Sequence, residues 1–155
     1  MSDTSTMEKI ARRYVVRSQI EQFYAEQMAL LDEGDAGSWV NTFVDDGVFV
    51  PPGGAPEVKG RSALLAGTEA TVARLAEAGT VRRHVLTNLN LVALVEGGAQ
   101  VTAYVLIVDS AAGESRITTS TVMRDQLVSD GRRWYVARRA VSRDDLDASS
   151  PSEAE

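Results

Sequence analysis

Apolar residues recur at helical spacing between Arg12 and Leu31, where Ile20, Phe23, Tyr24, Met28 and Leu31 form one stripe and Glu21, Gln22, Glu26 and Gln27 fill the positions between them. That period predicts a long helix with one buried face, closed at Gly34, because glycine readily takes the left-handed conformation that ends a helix. Residues 1–11 read as a flexible lead-in, although Ser5 with Glu8 three residues on has the form of a capping box. Asp35 to Phe43 predicts a short second helix, capped by Asp35 or Ser38 and turning Trp39, Val40 and Phe43 inward. Asp45-Asp46-Gly47 reads as a turn into a strand at Val48-Phe49-Val50. Pro51-Pro52-Gly53-Gly54-Ala55-Pro56 allows neither helix nor strand and is expected to be a loop over a pocket mouth.

A third helix is expected over Arg61 to Ala78, with Leu64, Leu65, Thr68, Val72 and Leu75 on one stripe and Gly79 as its stop. After it the period changes. Thr80 to Val95, Ala99 to Asp109, Ser115 to Val128 and Trp134 to Ser142 are rich in β-branched residues and separated by short glycine-containing turns. Four strands so joined make an antiparallel meander, and three preceding helices can cover only one face of it, so the class is α+β. Asp144 to Glu155 is acidic and serine-rich and reads as a frayed tail, disordered over 148–155, which leaves one domain over residues 12–147.

Composition narrows the function. A chain of 155 residues is most simply one domain with one cavity. A net charge of −6, with the arginines paired and diluted by acids, lacks the basic footprint of extended nucleic-acid binding, so nucleic acid is not expected as a partner. The chain has no cysteine and one histidine, which removes disulfides, thiolate chemistry and a multi-histidine metal site within one chain. Without an apolar signal core or a run of membrane-spanning length, it is expected to be a cytoplasmic protein with no membrane attachment.

Specific stretches carry a resemblance. Ala29-Leu30-Leu31-Asp32-Glu33-Gly34-Asp35 with Trp39, Phe43-Val44-Asp45-Asp46-Gly47-Val48-Phe49, Gly60-Arg61, Arg83-His84 with Thr87-Asn88, and the closing Asp130-Gly131, Trp134-Tyr135 and Ala137-Arg138-Arg139 resemble the NTF2-like superfamily. Within it they resemble the SnoaL-like branch that includes scytalone dehydratase and the small β subunits of ring-hydroxylating dioxygenases. The resemblance covers roughly Arg12 to Asp147 and implies a cone in which three N-terminal helices pack on a curved antiparallel sheet. It places Asp32 and His84 on an aspartate and a histidine that are functional in the scytalone dehydratase type. It also puts Leu31 and Pro51 where that type has tyrosines, Val105 where it has a second histidine and Val122 where it has an asparagine, while Ser120 retains a serine. The dehydration machinery is therefore not carried over whole.

Histidine is the side chain whose ordinary pKa suits proton transfer near neutrality. With His84 on a strand facing Asp32 at a helix end, the acid can fix the ring tautomer while the other nitrogen moves a substrate proton. That chemistry serves enolisation, dehydration, isomerisation or ring closure of a carbonyl compound and needs no cofactor. The structural alternative is a solvated helix-end acid and a histidine bonded within the sheet. Tyr24, Trp39, Phe43, Phe49, Val105, Val122 and Met123 are the expected apolar lining, with Asn88 and Ser120 as hydrogen-bonding groups. Arg138 and Arg139 face opposite ways, so one at most points inward, and an ion pair to Asp45, Asp46 or Asp125 is one expected role.

The leading expectation is a cofactor-independent cyclase, dehydratase or isomerase acting on a polyketide-like or aromatic small molecule, a substrate class implied by the resemblance. A non-catalytic partner subunit of the dioxygenase β type, with a filled pocket, is the second. Epoxide hydrolysis is the third; it requires a second inward acid beside Asp32 and an arginine. The exposed alternating residues of an open sheet suggest a homodimer or homotrimer.

Overall fold

The computed structural model describes residues 2–147. Its elements in chain order are α1 (Ser2–Asp32), α2 (Ala36–Val40), β1 (Phe43–Val50), β2 (Val58–Lys59), α3 (Arg61–Glu77), β3 (Val81–Val95), β4 (Gly98–Ala111), β5 (Glu114–Ser129) and β6 (Trp134–Arg143). The class is α+β, with helices on one face of a curved, unclosed six-stranded sheet in the order β2-β1-β6-β5-β4-β3. β3 to β6 form the antiparallel meander, and the chain then brings β6 back beside β1, to which it runs parallel. Among the described residues no helix is long and apolar enough to cross a membrane.

Helix α1 starts at Ser2 rather than Arg12. Helix formers such as Glu8, Lys9, Ala11 and Arg12 continue the helix backward, and residues 4–15 are exposed while Ile20, Tyr24, Gln27 and Met28 are buried. At its other end Gly34 has φ +78°, and the Asp35 amide donates to the Leu30 carbonyl at 2.9 Å. A Cβ on Gly34 would also come within 3.1 Å of Val72 on α3, so glycine here permits both the helix stop and the close approach of α3. Asp35 is the cap of α2, accepting from the Ser38 amide at 3.0 Å.

Three local expectations change. Asp45-Asp46-Gly47 is not a turn ahead of the strand but lies inside β1, where five steps from Phe43 to Val48 match two steps on β6 from Val136 to Arg138. The extra residues bulge out of the ladder, which is why turn-forming residues occur there. The two-residue strand β2 carried no sequence signal, being shorter than one period of alternation. Residues 144–147 are tied down rather than frayed: Asp147 accepts from the Gly53 amide at 2.9 Å and the Arg143 amide at 2.8 Å, joining the chain end to the proline-glycine loop. The tail over 148–155 lies outside the described residues.

The core fills the space between helices and sheet, with Tyr24, Phe43, Trp39, Val101, Ala103, Val105, Met123, Leu127 and Val136 at its centre. Register shifts between Thr87 and Asn90 on β3, and between Gln126 and Leu127 against β6, bend the sheet around it. The core does not fill the far end of the cone, and the cavity lies there.

Candidate functional site

The cavity measures about 680 Å³ and is walled by the end of α1, by α3, and by the inner faces of β3 to β6. Helix α1 ends against β3, so Asp32 in its last turn meets His84 on the strand. His84 Nδ1 lies 2.6 Å from Asp32 Oδ1. The His84 backbone amide also donates to the carboxylate, at 3.1 and 3.2 Å from its two oxygens. Both side chains are largely buried, His84 at 17% and Asp32 at 11% exposure, and both line the cavity.

A carboxylate only accepts hydrogen bonds, so the ring proton sits on Nδ1 and the Nε2 lone pair is left for another partner. Nε2 has no hydrogen-bond partner among the described residues. Burial holds the His84 pKa below its ordinary value, and Arg82 and Arg139 push the same way, while Asp32 offsets part of the effect. The ring is therefore a neutral base at neutral pH, in a fixed tautomer. The negative pole at the end of α1 and the Asp32 carboxylate both favour the imidazolium formed when Nε2 takes a proton.

Of the lining expected from sequence, Trp39, Phe49, Val105 and Met123 share this cavity with Asp32 and His84. Five others do not line it. Tyr24 is buried behind the wall, its hydroxyl donating to Asp125 at 2.8 Å. Phe43 packs behind Trp39, with ring centroids 4.9 Å apart. Asn88 sits at the β3 bulge with φ +53° and borders a separate groove between α1 and β3. Ser120 and Val122 fall on the outer face of β5, Ser120 donating to Asp144 at 2.6 Å. Strand alternation excludes them: Met123 faces inward, and with it Thr121 and Thr119, which do line the cavity.

Of the two neighbouring arginines on β6, one points inward and pairs with Asp125, one of the partners expected from sequence; that it helps wall the cavity was not expected. Arg139 points inward and is 3% exposed, held by Asp125 through Nε at 2.9 Å and Nη2 at 2.8 Å, with Gln27 accepting from Nη2 at 2.6 Å. Its charge lies over the rings of Tyr24 and Phe43, at 5.8 and 5.6 Å. Burial, and then the Asp125 charge, raise the Tyr24 phenol well above its usual range, so it remains a donor. Arg138 faces outward to Glu57 at 2.6 Å, and Asp45 pairs with Arg61 at 2.7 Å. Asp125 is an inward acid that sequence reasoning did not find, but Arg139 and Tyr24 occupy its oxygens and it does not line the cavity.

A cone of helices on a curved, unclosed sheet, with a cavity that holds a buried acid–imidazole pair, is the architecture of the NTF2-like fold. The SnoaL-like domain matches residues 12–140, and the chain belongs to that family. No curated protein sequence matches the chain significantly. Among solved structures, Aln2 from a Streptomyces species is 27% identical, with a TM-score of 0.78 over 86% of this chain and 94% of that one. A protein from Catenulispora acidiphila in complex with S-DNPA is also 27% identical, with a TM-score of 0.79 over 88% of this chain and 99% of that one. A chain described as the β subunit of an aromatic-ring-hydroxylating dioxygenase from Novosphingobium aromaticivorans shares the fold, at 21% identity and a TM-score of 0.70 over 84% and 90%.

Proposed function

We propose that this protein is a cofactor-independent enzyme, a cyclase, dehydratase or isomerase, acting on a polyketide-like or aromatic carbonyl compound with His84 as general base and Asp32 as the group that orients and charge-balances it. The observation that carries the reading is the 2.6 Å contact between His84 Nδ1 and Asp32 Oδ1, which leaves Nε2 unengaged beside a cavity of about 680 Å³. A proton leaves the carbon next to a substrate carbonyl for Nε2, the C–H electron pair moves into the enolate, and the imidazolium is held against the Asp32 carboxylate. The same proton then returns to a different carbon or to a leaving hydroxyl, giving isomerisation or loss of water; in ring closure the enolate carbon attacks a second carbonyl, whose π pair moves to its oxygen, and that alkoxide takes the proton back from the imidazolium.

The cavity volume suits a ligand of two or three fused rings and supports this reading over a partner subunit with a filled pocket. Epoxide hydrolysis is less well supported, because the second acid is spent on Arg139 and Tyr24 rather than presented to water. The test is deuterium uptake from D₂O at the acidic carbon of aromatic β-keto compounds, followed by proton NMR. Uptake by the wild type that is lost in both His84→Ala and Asp32→Asn supports the pair as the proton-transfer site; equal uptake in both variants refutes it.

A further inference from the structure

Four arginines line the cavity, Arg74, Arg82, Arg139 and Arg143, against two carboxylates, Asp32 and Glu33. Among the lining side chains, guanidinium donors therefore outnumber carboxylates. Three of the four are pinned from outside the cavity in the same manner. Arg82 gives Nε and Nη2 to Asp109, both at 2.8 Å; Arg139 gives the same two atoms to Asp125, at 2.9 and 2.8 Å; Arg143 gives them to Asp145, at 2.9 and 2.6 Å. None of these three carboxylates lines the cavity. Each stands behind its arginine, fixes the guanidinium through one edge and leaves the Nη1 edge outside the pair, the form of a preorganised anion contact.

The exposures set an order of depth. Arg139 is deep, at 3%, while the side chains of Arg82 and Arg143 are 26% and 32% exposed. Arg82 begins β3, Arg143 ends β6 and Arg74 is in the last turn of α3, so three cations ring the open end. Arg74 has neither an ion pair nor a side-chain hydrogen bond among the described residues.

We propose that the cavity selects an anionic ligand, an aromatic or polyketide-like compound with a carboxylate that rests among Arg74, Arg82 and Arg143 while its carbonyl end reaches His84 and Arg139. This deepens the proposed function by naming the charge of its substrate, and it rests on that reading only for the ligand's orientation. A ligand without the acid would leave the outward Nη1 edges of Arg82 and Arg143 and the unpaired Arg74 without an acceptor, which disfavours it against the acid.

Calorimetric titration at neutral pH with naphthoic acid and with naphthamide, matched in shape and differing in charge, tests the inference. The acid is expected to bind about tenfold tighter than the amide, with the gap closing as salt rises above about 0.1 M. Arg74→Glu should shrink that gap and leave the amide affinity unchanged, and Arg82→Gln should reduce it as well. Equal binding of acid and amide, no binding of either, or a preference that survives both substitutions overturns the inference. His84→Ala should retain the preference, so a failure of the base is read separately from a failure of the anion site.

Discussion

Asp32 holds His84 twice, through the ring at 2.6 Å and through the backbone amide of the same residue at 3.1 Å. One carboxylate therefore fixes both the strand position and the ring orientation of the chain's single histidine.

That single histidine makes its titration directly readable. Burial lowers the pKa, so the imidazole proton signals should titrate below the ordinary value of about 6.5. Because Asp32 raises it and burial lowers it more, Asp32→Asn should move the midpoint further down. Between the folded midpoint and about 6.5 the unfolded chain binds the extra proton, so this group's contribution to stability is complete above about 6.5 and falls away as pH drops to the folded midpoint. Activity that uses neutral His84 should rise with pH through the same low midpoint and then level off. A midpoint at or above 6.5 by NMR would refute the assignment.

Removing either member of the pair should separate activity from folding. His84→Ala takes away the base, and a loss of about a hundredfold or more in turnover is expected. Asp32→Asn keeps an acceptor for the His84 amide but not the charge that balances an imidazolium, so turnover should fall while the thermal midpoint moves little. Side-by-side kinetics and thermal melts check this; a parallel collapse of both properties in Asp32→Asn would assign the residue a structural role only.

The meander and the three helices were legible because each rests on period, and the meeting of Asp32 with His84 because the resemblance placed both on one site. The inward set on β5 was legible in principle: alternation from Met123 leads to Thr121 and Thr119, and excludes Ser120 and Val122. Which of Arg138 and Arg139 turns inward was not, since the register shift between Gln126 and Leu127 breaks the alternation on β6, where the buried positions Val136 and Arg139 are three apart. Nor does the sequence reveal that Arg82 is pinned from behind, because Asp109 acquires that role only when β3 and β4 pair.

The buried Arg139–Asp125 pair gives a test by double-mutant cycle. Arg139→Met strands the Asp125 carboxylate, and Asp125→Leu strands the guanidinium, each in a site with under 4% exposure. Either alone should cost about 3–5 kcal/mol. The double variant should cost much less than the sum, because no uncompensated charge remains. Urea denaturation measures all four corners of the cycle, and additive losses would show that the two charges are stabilised by other groups.

The turn between β4 and β5 holds a stabilising substitution. Ala112 has φ +52° and Gly113 φ +81°, the two left-handed positions of a tight hairpin in which asparagine followed by glycine is preferred. Alanine in that conformation is strained by its Cβ, at about 1 kcal/mol or more, whereas asparagine tolerates it and can bond its own backbone. The residue is exposed and lies outside the cavity lining, so nothing else depends on its side chain. Ala112→Asn should therefore raise stability by about 0.5–1 kcal/mol, an increase of roughly 2–4 °C in the melting temperature for a chain of this size. Activity should not change. An unchanged or lowered melting temperature would mean that the turn relaxes into another geometry in solution, and the strain argument would fail.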